Sequence, residues 1–162
     1  MKTLTILRHA KSDWSHPDLS DHDRPLNKRG NGDLPKIAHR FVELNIRLDA
    51  CIHSTAIRAT TTALQVLNMA SIEVPTFAQH NLYTFEGKEV ITIIHHLDNL
   101  YHEVLMVGHN PAFTEVINLL SNIRLDNLPT GGMAQIQFDS NRWEECRIGS
   151  GKLIFLEHPK GY

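Results

Sequence analysis

An α/β domain with a mostly parallel central sheet, layered helix–sheet–helix, is what this sequence predicts. Strand-like and helix-like segments alternate along the chain, the pattern of a parallel sheet covered on both faces. One segment, Glu103-Val-Leu-Met-Val107, is a continuous apolar run of the kind buried on both sides. The composition, 41% apolar and 21% charged over 162 residues, is that of a chain able to bury its own core.

Thr3–Leu7 alternates β-branched and apolar residues and reads as the first strand. Asp18–Gly32, with Pro25, Gly30 and Gly32, reads as a loop. A helix comes next through Ile37, Ala38, Phe41, Val42 and Leu44, with Pro35 expected in its first turn. Asp49–His53 is a short strand. Ala56–Ala70 and Glu89–Leu100 are helical in period, through Val66 and Leu67 and through Val90, Ile93, Ile94 and Leu97. After the 103–107 strand, Asn110 and Pro111 suit the Ncap and N1 positions of a helix to Leu120. Met133–Phe138 and Lys152–Leu156 are late strands. No repeat, low-complexity tract or linker divides the chain, so residues 1–162 are expected to form one domain.

Several function classes are excluded early. Lys and Arg number 16 against 18 Asp and Glu, so no basic surplus points to nucleic acid or an anionic membrane. The longest apolar runs are four residues, far from the roughly 20 of a transmembrane helix. The first fourteen residues hold no apolar stretch of signal-peptide length. Cys51 and Cys146 stand far apart, outside any C-x-x-C pattern. A reducing, cytoplasmic setting is therefore expected, and Cys51 reads as a buried, inert thiol.

The residues just beyond the strands suggest a function. In open parallel sheets, ligands sit beyond the carboxyl ends of the strands. The residues there are Arg8-His9, Ser54-Thr-Ala-Ile-Arg58 and Gly108-His109-Asn110-Pro111. Two arginines offer planar, permanently charged forks suited to phosphate oxygens. Arg58 and His109 also fall at helix starts, where backbone N–H groups favour anions. Nearby arginines disfavour a charged imidazole and so keep one histidine nucleophilic. Together these features describe a phosphate pocket with a histidine able to accept a phosphoryl group. The plain alternative is a set of surface Arg–His pairs.

Leu7-Arg8-His9-Ala10-Lys11-Ser12, with Trp14, resembles the Arg-His signature of the histidine phosphatase superfamily, and within it the small SixA-type phosphohistidine phosphatases. Asp21-His-Asp-Arg-Pro-Leu-Asn-Lys-Arg-Gly30, Ser54–Ala63, Val107-Gly-His109-Asn-Pro111 and Asn127-Leu-Pro-Thr-Gly131 are similar to later motifs of that family, in the same order. The resemblance implies a phosphoglycerate mutase-like fold and a metal-independent phosphatase without cofactor. It implies His9 as nucleophile, Arg8 and Arg58 as holders of the phosphoryl oxygens, and His109 as a donor to them. Lys11 and Ser12 are further phosphate-binding candidates, with solvation and a turn cap as their plain alternatives.

Departures bear on the substrate. Thr55 stands where many relatives have proline, which suggests a looser turn before Arg58. The larger sugar-phosphate enzymes carry a glutamate acid in an L-x-E pattern, but Leu82-Tyr83-Thr84 ends in threonine here. Glu86 is the possible substitute acid. A sugar alkoxide needs such an acid to leave, whereas imidazole, with a pKa near 6.5, leaves with little help. Phosphohistidine on a signalling or phosphotransfer protein is therefore the expected substrate, and a phosphorylated protein the expected partner. A small-molecule phosphomonoesterase or pyrophosphate-cleaving activity is the alternative, and a non-catalytic phosphate-binding module the second. Asp21-His22-Asp23 invites a metal reading, but a salt-bridge cluster organised by Arg24 is expected instead. Lys28 and Arg29 read as a basic loop edge.

Overall fold

The computed structural model describes residues 1–161, so Tyr162, the last residue of the expected domain, lies outside the described residues. The six strands are β1 (Lys2–Arg8), β2 (Ala50–Ser54), β3 (Thr76–Gln79), β4 (Glu103–Gly108), β5 (Met133–Phe138) and β6 (Lys152–Glu157). They form one sheet in the order β3-β2-β4-β1-β5-β6. β5 alone runs against the others, pairing antiparallel with both β1 and β6. The helices are α1 (Lys28–Glu43), α2 (Ile57–Met69), α3 (Gly87–His95) and α4 (Ala112–Ser121).

The central strands are apolar on both faces because each face carries helices. Along β4, Val104 and Met106 join the core beneath α3 and α4, with Phe113, Val116 and Ile117. Leu105 and Val107 join the opposite core beneath α1 and α2, with Ile37, Phe41, Ala63 and Val66. This is the three-layer arrangement the sequence predicts. Cys51 is buried in the second core, where burial pushes its thiol pKa up to about 12, so it is not a reactive thiol. No helix among the described residues is long and apolar enough to cross a membrane.

Four elements differ from the expectation; α4 starts at Ala112, with Pro111 rather than Asn110 in the N-cap position. α1 begins at Lys28, inside the segment expected to be loop, because the Asn27 side chain accepts the Gly30 amide and caps it. Lys28 and Arg29 are thus helical, not a loop edge. Gly30 is glycine for packing: a Cβ there would lie 2.1 Å from the Lys11 carbonyl oxygen. Pro35 then falls about two turns into the helix rather than in its first turn, at the loss of one hydrogen bond. α3 spans residues 87–95 rather than 89–100. Its end tightens through amide bonds from His96 to Ile93 and from Leu97 to Ile94, and the Asp98 side chain then caps a turn at Leu100. β3 is an element the sequence pattern does not predict: it is a four-residue edge strand without a clean alternation of buried and exposed residues.

Candidate active site

The register puts the chemistry on one edge. Arg8 at the end of β1 lies beside Gly108 at the end of β4, and His53 of β2 lies beside Val107. His9, Arg58 and His109 come soon after those strand ends. With Arg8, Lys11 and Ser12 they line one pocket of about 270 Å³, whose rim carries Trp14 and Phe85. Six of the seven residues expected there from sequence line it, Glu86 being the exception.

His9 is 6% exposed. Its Nδ1 lies 2.7 Å from the Ala10 carbonyl oxygen, which can only accept, so Nδ1 carries the ring proton. Nε2 of the neutral ring then holds the lone pair. Burial keeps the pKa well below the ordinary 6.5, against the pull of the Ala10 carbonyl, and His109, Arg58 and Arg8 depress it further. Thr62 of α2 steadies this segment: its Oγ1 accepts from the Ala10 amide and donates to the Arg58 carbonyl.

His109 presents the complementary tautomer. Its Nε2 lies 2.7 Å from Ser54 Oγ at the end of β2. That oxygen accepts from the Ala56 amide, so its own proton is available to His109 Nε2. With the Ser54 hydroxyl donating to Nε2, the imidazole proton of neutral His109 sits on Nδ1. Burial and then Arg58 take the His109 pKa down to about 3, with Asp21 opposing. The two imidazole rings lie 5.2 Å apart, centroid to centroid.

Each arginine is fixed by part of its fork. Arg8 Nη1 donates to the Leu128 carbonyl at 2.8 Å. The turn supplying that carbonyl is tied back through Gly131, whose amide donates to the carbonyls of Arg8 and His9 and whose positive φ favours glycine. Arg58 Nη1 and Nη2 donate to the carbonyl and carboxylate oxygens of Asp21. Three buried side-chain nitrogens have no hydrogen-bond partner among the described residues: Arg8 Nε, Arg58 Nε and His109 Nδ1. Unpaired buried donors are costly. The three residues that carry them, Arg8, Arg58 and His109, all line the pocket.

Asp21, expected only in the Arg24 salt-bridge cluster, also organises the pocket. Oδ1 accepts from Arg24 Nε and Nη2, and Oδ2 accepts from Arg58 and the Tyr83 hydroxyl. Burial alone would raise its pKa, but the bonds from Tyr83, Arg58 and Arg24 outweigh it and hold the carboxyl well below the usual range. The expected salt-bridge cluster around Arg24 is present, and it extends to Arg58. No group of three or more His, Cys, Asp or Glu side chains among the described residues is placed to hold a metal ion. Arg24 also donates to Ser12 Oγ at 2.6 Å and lies 3.4 Å from the centre of the Trp14 ring.

Two expectations need correction. Glu86 is not brought to the pocket: it is exposed, at the N-cap of α3, and the pocket wall nearby is Phe85. The turn before Arg58 is not loose, because Thr55 Oγ1 lies within hydrogen-bond distance of His22 Nε2 and His80 Nδ1. Ser54 and Tyr83 are contributors to which the sequence pattern gives no role.

Comparison with known proteins bears on the family and the fold. The family model described as histidine phosphatase superfamily (branch 1) matches residues 4–115. An uncharacterized chloroplastic protein of Arabidopsis thaliana is 29% identical over 163 residues, covering 93% of this chain and 72% of that one. Among solved structures, a candidate phosphohistidine phosphatase SixA from Agrobacterium tumefaciens superposes with a TM-score of 0.83 at 23% identity, over 98% of each chain. The protein histidine phosphatase SixA complexed with tungstate gives 0.81 at 19% identity, over 98% of this chain and 97% of that one. At such identities the two structures establish the fold.

Proposed function

Since this chain belongs to the histidine phosphatase superfamily, we propose that it is a phosphatase working through a covalent phosphohistidine on His9, with phosphohistidine on a protein as its substrate. The observation that carries the mechanism is the convergence of His9, whose Nδ1 is held by the Ala10 carbonyl so that Nε2 is bare, with Arg8, Arg58 and His109 on one pocket.

His9 Nε2 attacks phosphorus, forming the new N–P bond as the bond to the leaving group breaks. Arg8 and Arg58 hold the non-bridging oxygens, and His109 donates to one of them from Nδ1. His9 keeps its Nδ1 proton throughout, and the Ala10 carbonyl accepts from it as the ring becomes positive. Water then attacks phosphorus, the N–P bond breaks, and the water's proton leaves on inorganic phosphate. His9 returns neutral.

The choice of substrate rests on a group absent from the described pocket wall, a protonated carboxyl to serve the leaving group. The wall's one carboxylate, Asp21, is ionised and bound by Arg24, Arg58 and Tyr83, so it has no proton to give. A protonated phosphohistidine supplies its own, because neutral imidazole departs. The rim rings of Trp14 and Phe85, 74% and 52% exposed, offer flat apolar faces to that imidazole. With chelator present, and at equal concentration, phosphate release from a phosphohistidine-bearing phosphotransfer protein is expected to outpace release from a sugar monophosphate. The reverse order overturns the substrate reading and moves it to small phosphate esters.

Ser54 acts through His109, as a positioning residue. Ser54→Ala is expected to lower kcat roughly 10- to 100-fold, the usual cost of losing a ligand-orienting partner, with a smaller effect on KM. Nitrogen NMR of His109 provides the readout a merely structural role would not move: the Nδ1–H tautomer should dominate in the wild type and lose its dominance in the variant. Ser54→Thr, which keeps the hydroxyl, should restore it.

A further inference from the structure

Beside the phosphate pocket lies a second chamber, of about 330 Å³, that shares Arg8, Lys11 and Thr130 with it. Its remaining walls include Arg29 and Asp33 of α1 and the segment His158–Lys160 after β6. Four permanently cationic side chains thus face one carboxylate, on a chain whose net charge is -2. Asp33 is itself approached by Lys36, at 4.0 Å. Lys11, Arg29 and Lys160 are exposed and have no side-chain hydrogen bond or ion pair among the described residues. Unmatched cations gathered around one concavity repel one another unless an anion joins them.

We propose that this chamber is a subsite for a second oxyanion, a carboxylate or phosphate, carried by the same substrate whose phosphoryl group occupies the pocket at His9. The inference rests on the phosphatase reading of that pocket and deepens it. Arg8 and Lys11 stand between the two compartments, so a substrate bearing two anionic groups spans a continuous positive surface. Arg29, fixed on a helix capped by Asn27, supplies a planar fork for the second group, and Lys160 a point charge opposite. The second oxyanion comes either from an acidic side chain beside the phosphohistidine of a protein or from a second acidic group on a small phosphate.

The test uses two non-hydrolysable phosphonates, propylphosphonate and 3-carboxypropylphosphonate, titrated calorimetrically into the wild type and an Arg29→Gln/Lys160→Gln variant. In the wild type the carboxylated ligand should bind about 10-fold more tightly, the worth of one charge-assisted contact. That ratio should shrink with added salt and fall towards one in the variant. An equal ratio in the two proteins, or a ratio near one in the wild type, overturns the subsite while leaving the phosphate pocket standing. If neither phosphonate binds, the phosphate pocket reading fails and the subsite with it. Turnover then identifies the source. Phosphohistidine peptides flanked by Glu or Gln form one pair, and small phosphate esters with or without a carboxylate form the other. The pair whose discrimination disappears in the variant is the physiological class; if wild type discriminates within neither pair, the proposal falls.

Discussion

His9→Ala should remove phosphate release by a factor on the order of 10⁴ or more, as loss of a covalent nucleophile does elsewhere. No other side chain on the pocket wall can take its place. His109 presents a proton rather than a lone pair, and the Asp21 carboxylate is bound by two arginines and a tyrosine. The variant should still bind phosphonates, since Arg8, Arg58 and His109 are untouched. Loss of turnover with retained binding is the signature, and it is read from initial rates alongside calorimetry. Turnover within 100-fold of the wild type would reject His9 as nucleophile.

The same residue carries a pH consequence. A histidine held neutral by burial has a folded pKa below its unfolded value, so below about pH 6.5 the unfolded chain takes up a proton that the native chain refuses. Its contribution to stability is therefore intact above pH 6.5 and declines as the pH falls towards the folded pKa. The slope approaches about 1.4 kcal/mol per pH unit for each such histidine. His109 behaves alike, down to about 3. Chemical denaturation at pH 7 and pH 5 should show a smaller acid loss in His9→Ala than in the wild type. Over the same interval the wild-type rate should not track an ordinary histidine titration, because the folded His9 stays neutral through pH 6.5.

Arg58→Gln is the second large effect, expected near 10²- to 10³-fold in kcat/KM, as for loss of a preorganised oxyanion donor. The conservative change is more telling. Arg58 gives one N–H from each of Nη1 and Nη2 to Asp21 and, in the proposed mechanism, uses its remaining N–H groups on the phosphoryl oxygens. Lysine has one charge centre and cannot serve both. Arg58→Lys should therefore be nearly as poor as Arg58→Gln, and both should release Asp21 from the partner that helps hold it ionised. Steady-state kinetics of the two variants decide the matter. Arg58→Lys within 10-fold of wild type would mean that its charge alone is used.

The parts legible in the sequence are those governed by local pattern. β1, β2, β4, α2 and α4 emerge from sequence pattern, and the sheet rule alone puts Arg8, His9, Arg58 and His109 on one edge. The features that escape depend on distant packing. The two glycines near residue 30 look like loop signals, yet Gly30 is there because α1 starts hard against the Lys11 backbone. Tyr83 meets Asp21 across 62 positions of the chain, and Ser54 meets His109 across 55. No spacing rule links such partners. Glu86 lies near a family acid position along the chain, but α3 begins at Gly87 and leaves its side chain exposed at the cap.

The central claim is the covalent intermediate, and rapid quenching of a single turnover tests it most directly. Wild type mixed with excess phosphohistidine protein, quenched into alkali and mapped by mass spectrometry, should carry one alkali-stable, acid-labile phosphoryl group on the peptide containing His9. His9→Ala should carry none. A phosphoryl group on another residue, or full turnover with no trapped phosphoenzyme under conditions that preserve phosphohistidine, would contradict the account.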